Sequence, residues 1–579
     1  MSMASPAVPA PAPTPARLRT RWLLPVAPDA GVVRALCDEL LLPEPICRLL
    51  AARGHSPAES AKRYLRPRLE HLFPPEQMLD LDRAVDRLAH AIRTGETILV
   101  HGDYDVDGMA STTLMIRALR ALGGHAVPFI PRRLLDGYDL GDAGVQAARD
   151  AGATVVVTCD CGTSAVLPVA ALQAAGIDVI ITDHHLPGGD LPNAFAVLNP
   201  KRPGCDASDQ DLAAVGVAFK LALALTRALG GNENVVYGMM DLVALATIAD
   251  IAPLRGENRV FARYGLKMLM ETQNVGLRAL IRACGLDKKV LTAGRIGFIL
   301  APRLNAVGRL GHALRGVELL MATDEHEANA IARELEEMNA RRQEIDRAVL
   351  DQARQQVLAL DLDTTFGIVL NDERWHPGVI GIVASRIVEE FGRPTILIGE
   401  GGKGSGRSIS RFDLHAGIAR CAHLLQRFGG HRSAAGVTIA PERIAEFARC
   451  FNASAQSVLT HDDLVPELRV DMEIALSEIT PGLEALLRHL EPTGMGNPAP
   501  VLLTRDVRLA APPRVVGQGG LKLRIQTDTG PLEAIGWSLG ARIGELNLAR
   551  PLDIVYRLER DEYQGVSRLQ AKLLDFRSA

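Results

Sequence analysis

Residues 97–108 read TILVHGDYDVDG, a short apolar run followed by a histidine and three aspartates at every second position, His101, Asp103, Asp105 and Asp107. An apolar run of this length, then a polar turn and an Ala/Leu-rich stretch at 110–122, predicts a strand feeding a helix. Working outward, the alternation repeats. Strands are expected at 125–130 (HAVPFI), 154–158 (TVVVT), 178–182 (DVIIT) and 194–198 (AFAVL), with helices at 142–151 and 164–175. Such alternation implies a parallel, doubly wound sheet. Two further strands also end in candidate ligands: Asp160 follows 154–158, and Asp183, His184 and His185 follow 178–182. Ligands of open α/β sheets bind beyond the carboxyl ends of the strands, so these residues are expected to share one crevice. Asp250 closes the apolar run DLVALATIAD, where an uncompensated charge is costly and a cation partner is the natural explanation.

The 579 residues carry 64 Lys and Arg against 68 Asp and Glu, a net charge of −4, so any nucleic-acid surface must be local. With 47% hydrophobic residues general disorder is excluded. Eight cysteines in such a length make no disulfide framework, and a reducing cytoplasm fits them. No apolar run is long enough to span a membrane, and the N-terminus has no secretory h-region. The expected organisation is a disordered Ala/Pro-rich tail (1–20), a helical region (21–90), a catalytic α/β domain (91–322) and a connecting helix (323–360). A smaller α/β domain (361–462) and a C-terminal domain of short strands (463–579), OB-like in character, complete it.

Carboxylates mixed with imidazoles, with no thiolate among the ligands, point to manganese or magnesium. With Asp160 placed to bridge, the set suits two ions that activate water for phosphoryl displacement. A lone aspartate at a strand end is usually a cap or turn former. The combination of H-x3-D-x-D, a strand-end Asp and D-H-H is poorly explained that way. Asp103 serves either the turn or the layer behind the ligands. Cys159 and Cys161 read as small buried residues. GKGSGRS (402–408) could cradle a phosphate, although glycine-rich loops are common connectors. Arg303 and Arg309 could clamp phosphates, although surface arginines are usually only solvated. Trp375 reads as packing, Tyr138 as the better base-stacking group, and Lys522, Arg524 and Arg568 as contacts to a strand backbone.

On these residues the chain resembles the DHH phosphoesterase superfamily, and within it the RecJ family of single-strand-specific DNA exonucleases. The matching motifs are HGDYDVDGMAS, TCDCGTS, ITDHH, LNPKRPGC, LAAVGVAFKL, DLVALATIADIAPL, APRLNAVGRL, WHPGVIGIVASRI, GKGSGRSI, FGGHRSAAG and GMGNPAP, in consistent order. The resemblance implies a parallel-sheet DHH domain joined by a long helix to a DHH-associated domain, then an OB-like barrel. It implies that His101, Asp105 and Asp160 hold one Mn2+ or Mg2+ ion and Asp107, Asp160, His184 and Asp250 the other. His185 would lie by the reacting phosphate, with Asp183 and Asp103 behind the ligands. Asp107, Asp160, His184 and His185 would carry catalysis, and Arg133, Tyr138, Arg309, Ser405, Arg407 and His431 would bind the strand. It further implies 5′→3′ degradation of single-stranded DNA in recombination and repair, a cytoplasmic monomer, and a single-strand-binding protein and a helicase as partners. Two departures stand out: Cys159-Asp160-Cys161-Gly162 replaces the usual V-D-N-G, and Asp139 replaces a usual glycine, placing a carboxylate near the expected DNA path. The rivals are a DHH phosphoesterase for short or cyclic oligonucleotides and a non-catalytic replication scaffold, which would lack ligands that this chain has.

Overall fold

The computed structural model describes residues 20–133, 135–205, 209–528, 530–563 and 566–578, so the tail expected at 1–20 lies, except for Thr20, outside them. The chain divides into one unit of residues 28–345 with 485–499 and another of 1–27, 346–484 and 500–579. The region expected to be helical from 21 opens instead on a strand, β1 (Arg21–Leu23). Helices Ala30–Leu40, Glu44–Ala52, Ala58–Leu65 and Leu81–Thr94 follow in the first unit.

That unit is built on β2 (Thr97–Gly102), β3 (His125–Phe129), β4 (Val155–Cys159), β5 (Asp178–Thr182) and β6 (Ala196–Leu198). They pair in parallel in the order β3-β2-β4-β5-β6. Side chains alternate across the sheet: Ile98, Val100, Val155 and Val157 join one core, Leu99, Val156, Val179 and Ile181 another. Burial on both faces explains why these strands read as continuous apolar runs rather than alternating ones. The first core is covered by helices Leu81–Thr94, Val106–Ala121 and Ala214–Ala228. The second lies under Asp142–Asp150 and Val166–Ala174. Strand order reverses at β2, so the crevice for a ligand opens beyond the ends of β2 and β4.

Helix Glu325–Leu358 is continuous over 34 residues and leads into the other unit. There β7 (Ile368–Asn371), β8 (Thr395–Ile398), β9 (Lys403–Arg407), β10 (Arg427–Gly430) and β11 (Ala434–Thr438) form a sheet ordered β10-β11-β9-β8-β7. The glycine-rich stretch is therefore a strand, not a phosphate-cradling loop: β9 pairs with β8 and β11. A Cβ on Gly404 would come within 2.5 Å of the Val437 side chain, so the glycines here admit neighbouring strands. Cys421 and Cys450 form a disulfide, which the cysteine count did not anticipate.

β1 pairs in parallel with β12 (Glu467–Arg469). Beyond it, β13 (Met472–Glu473), β14 (Leu502–Val507), β15 (Arg514–Val516), β16 (Gly520–Ile525), β17 (Leu532–Gly536), β18 (Leu552–Tyr563) and β19 (Val566–Ser578) form a seven-stranded sheet ordered β13-β14-β18-β19-β17-β16-β15. The chain after β14 crosses to bond β16, through Ala510 N–H to Arg524 O and Gln526 N–H to Arg508 O. This closes the sheet on itself in the manner of a small barrel. Among the described residues no helix is long and apolar enough to cross a membrane.

Candidate metal centre

Asp105 caps the helix Val106–Ala121: its Oδ1 accepts the N–H groups of Asp107 at 2.9 Å and Gly108 at 3.1 Å. The turn is pinned from outside by Asn305, whose Oδ1 accepts the Val106 N–H at 3.2 Å. Gly308 lies beneath it, where a Cβ would come within 2.2 Å of the Tyr104 carbonyl oxygen. Motif APRLNAVGRL thus supports the aspartate loop, a role that sequence reasoning missed. Arg303 of this motif is bound to Glu336, at 2.7 and 3.1 Å, rather than held open for phosphate.

Asp107 is buried, and its carboxylate accepts the N–H groups of Ala214 at 2.8 Å and Val215 at 2.9 Å. LAAVGVAFKL therefore turns a helix N-terminus onto this aspartate. Asp160, directly after β4, adopts φ +67°, a left-handed conformation that aspartate tolerates better than most residues. Asp183 receives the N–H groups of His184 (2.7 Å) and His185 (3.1 Å) on Oδ1 and that of Thr163 (3.0 Å) on Oδ2. The same Oδ1 lies 2.7 Å from His185 Nδ1. Asn199 donates to the His185 carbonyl at 2.8 Å.

The outcome is a tight cluster around one imidazole. His184 Nε2 stands 3.2 Å from Asp160 Oδ1, 3.6 Å from Asp250 Oδ2 and 4.0 Å from Asp107 Oδ2. Three groups bring ligand atoms within 4.8 Å of one another: Asp107, His184 and Asp250; Asp160, His184 and His185; and Asp103, Asp105 and Asp160. Asp160 joins two of them. Asp103, expected in the turn or behind the ligands, enters the third. His101 is in none: it is fully buried, with Nδ1 3.5 Å from Cys161 Sγ and Nε2 against Gly144, where a Cβ would come within 2.7 Å.

Electrostatics follow from the burial and crowding of this cluster. Burial, then the charges of Asp105 and neighbours, push the Asp107 carboxyl up to about 7 and that of Asp160 well above the usual carboxylate range. Burial and Asp107 do the same to Asp250. Burial holds His184 down to about 3 and His101 to about 4, leaving neutral imidazoles suited to ligation. Burial would also lower His185, but the Asp183 hydrogen bond and charge raise it to about 9. Asp160 Oδ1, Asp103 Oδ1, His184 Nε2 and His101 Nε2 are buried without a hydrogen-bond partner. Unpartnered ligand atoms beside crowded carboxylates fit hard divalent cations.

Tyr138 overhangs the cluster, its hydroxyl 3.2 Å from His185 Nε2. The Arg133 guanidinium lies over the Tyr104 ring, 4.7 Å from its centroid. Burial pushes the Tyr104 phenol up to about 12 against the opposing charges of Arg133 and Arg309. Asp139 does not project a free carboxylate toward a strand; its Oδ1 accepts the N–H groups of Leu140 at 2.8 Å and Gly162 at 2.6 Å. In the other unit, Arg407 Nη1 donates to Ser405 Oγ at 3.2 Å, and His431 is exposed after β10. Trp375 is buried, with its indole N–H on Gln352 Oε1 at 2.7 Å, which makes it a packing residue.

The chain is similar to known proteins. Residues 97–247 match the DHH family, N-terminal domain, residues 355–457 the DHHA1 domain and residues 470–575 the RecJ OB domain. The single-stranded-DNA-specific exonuclease RecJ of Bacillus subtilis is 36% identical over 96% of this chain and 71% of its own length. That of Escherichia coli is 35% identical over 91% of this chain and 95% of its own. The chain belongs to the RecJ family. The crystal structure of RecJ from Thermus thermophilus in complex with Mn2+ superposes with a TM-score of 0.82 at 33% identity, covering 96% of this chain and 80% of that one. A crystal structure of the same RecJ with Mg2+ gives 0.77. GMGNPAP, which the cluster does not use directly, has a structural role in this RecJ-family chain. Asn497 accepts from the Tyr64 hydroxyl and Arg53 and donates to the carbonyls of Leu490 and Pro492, while Met495 O accepts the Leu254 N–H at 2.7 Å.

Proposed function

We propose that this chain is a single-stranded-DNA-specific exonuclease that hydrolyses phosphodiester bonds from the 5′ end and releases 5′-mononucleotides in recombination and repair. The observation that carries the reading is His184 Nε2, buried without a partner and within 4.0 Å of three carboxylates. Asp107, Asp160, His184 and Asp250 would hold one Mn2+ or Mg2+ ion, and Asp105 and Asp160, with Asp103 and His101 alongside, the other. When bound, the ions supply Lewis acidity that activates water and neutralises charge on the phosphate. Asp183 holds His185 Nδ1 and favours the protonated ring, so that Nε2 would donate to the phosphate in exchange for the Tyr138 hydroxyl 3.2 Å away. Tyr138 orients that nitrogen through its hydroxyl and offers a ring for the terminal base. Arg133 and Arg309 in one unit, and Ser405, Arg407 and His431 in the other, are the groups with which each would bind phosphate and strand. The enzyme works as a cytoplasmic monomer, with a single-strand-binding protein and a helicase presenting the strand.

The test follows 5′- and 3′-labelled single strands with Mn2+, with and without chelator, beside a matched duplex. Mononucleotide released early from the 5′ label only, abolished by chelator and absent on duplex, is the expected result. No release with binding retained would establish the scaffold instead, and cleavage confined to very short oligonucleotides the rival phosphoesterase.

A further inference from the structure

Asp139 occupies a joint between two functional loops. Its neighbour Tyr138 reaches His185, while its own carboxylate reaches across to the loop carrying Asp160. That loop is conformationally demanding: Asp160 has φ +67° and Gly162 φ +108°. Its other backbone groups are held from within the sheet. Asp160 N–H donates to Thr182 O at 2.9 Å, Cys161 O accepts from Thr158 Oγ1 at 2.7 Å, and Thr163 N–H donates to Asp183 at 3.0 Å. The Gly162 N–H is held by Asp139 at 2.6 Å, from the segment between β3 and the helix Asp142–Asp150. Asp139 is itself left-handed, at φ +74°, and its Oδ1 also caps the Leu140 N–H. A residue held in that conformation with its side chain committed to a neighbouring loop is a link between the two loops.

We infer that Asp139 is a positioning residue that fixes the left-handed turn at Asp160 and, through the same backbone, sets Tyr138 over His185. It does not contact the strand; it acts through Asp160, the carboxylate shared by two ligand groups, and through Tyr138. The inference rests on the metal-centre reading above. What matters chemically is acceptance of an N–H by Oδ1, which an amide oxygen performs as well as a carboxylate. Asparagine also tolerates a left-handed backbone, and glycine adopts it freely.

The experiment measures Mn2+ binding to the chelator-treated full chain by titration calorimetry, with kcat and KM on a single strand alongside. Asp139→Ala is expected to weaken Mn2+ affinity 10- to 100-fold, the scale for partners that orient ligands, and to lower kcat more than it raises KM. Asp139→Asn restores affinity to within about threefold, because it keeps the acceptor. Asp139→Gly relieves the backbone and so tests a folded protein should the alanine variant fail to fold; it still loses affinity, because the acceptor is gone. A residue that merely stabilised the fold would shift the melting temperature of these variants without changing Mn2+ affinity. Wild-type affinity in folded Asp139→Gly overturns the inference, as does an equal loss in Asp139→Asn. A wild-type chain that binds no Mn2+ overturns the metal-centre reading itself.

Discussion

Replacing Asp107 by asparagine should make the metal-free protein more stable at alkaline pH while weakening its response to Mn2+. Burial and the charge of Asp105 raise this carboxyl from 3.8 to about 7. A carboxyl raised on folding is one whose ionised form is disfavoured. The penalty is absent below the unfolded value, grows as pH rises between the two, and is complete above about 7. At about 1.4 kcal/mol per pKa unit, the penalty at pH 8 is about 4 kcal/mol. Against this, asparagine loses one of the two helix N–H bonds from Ala214 and Val215, costing about 1–2 kcal/mol. The net gain is about 2 kcal/mol at pH 8 and about zero near pH 5. At roughly 2–4 °C per kcal/mol for a unit of this size, Asp107→Asn should melt several degrees above wild type at pH 8 in chelator and level with it at pH 5. Saturating Mn2+ should reverse the order, raising wild type more than the variant, which keeps the ligand group of Asp103, Asp105 and Asp160, and exonuclease activity should be lost. Scanning calorimetry with and without Mn2+ at both pH values is the assay. A variant that melts below wild type at pH 8 in chelator would refute the charge-crowding account, and equal stabilisation by Mn2+ would refute the ligand assignment.

Asn497→Ala removes four hydrogen bonds and strands the carbonyl of Leu490, while that of Pro492 keeps Arg259; urea unfolding should show a loss of about 2–4 kcal/mol, and an unchanged midpoint would sink the clamp role. Glu96, held down to about 2 chiefly by its hydrogen bond to Arg87, contributes stability that is complete above about 4.5 and lost as pH falls toward about 2. Glu96→Gln should therefore cost about 1–2 kcal/mol at pH 7 and nothing near pH 2, read as a pH series of denaturation midpoints. Arg407→Ala should raise KM for a 5′-phosphorylated strand at least tenfold, with a smaller change in kcat; an unaltered KM would remove Arg407 from phosphate binding.

The parallel sheet was readable because its strands are buried on both faces, which leaves a near-continuous apolar signature in 97–100, 154–158 and 178–182. Most candidate ligands were readable because they follow the ends of those strands, and Asp250 because it closes an apolar helix. What a sequence does not display is which side chain meets which. His101 and Asp103 lie two positions apart, yet the strand pleat sends the first against Gly144 and the turn brings the second to Asp105 and Asp160. The conformation of residues 402–408 was not readable, because glycine serves a loop that approaches phosphate and a strand that admits close neighbours equally well. Arg303 misled because its partner Glu336 lies on a distant helix. The strand β1 was missed because three residues carry no periodicity and pair with β12, more than four hundred positions away.

The aspartates around the centre also show why cap and ligand are not exclusive readings. An ionised carboxylate has two oxygens and about four lone-pair positions. Asp105 uses Oδ1 for both N–H groups of its cap, so the cap makes no use of Oδ2. Asp107 holds a helix N-terminus and still brings Oδ2 to 4.0 Å from His184 Nε2. Asp183 spends its oxygens on backbone N–H groups and His185, and it is the member of this set whose carboxyl remains below the usual range. The dividing line is therefore electrostatic. Where hydrogen bonds outweigh burial, as at Asp183, the carboxylate is complete without a cation. At Asp107, Asp160 and Asp250 burial and mutual repulsion prevail, and a cation held there would make their ionised state stable.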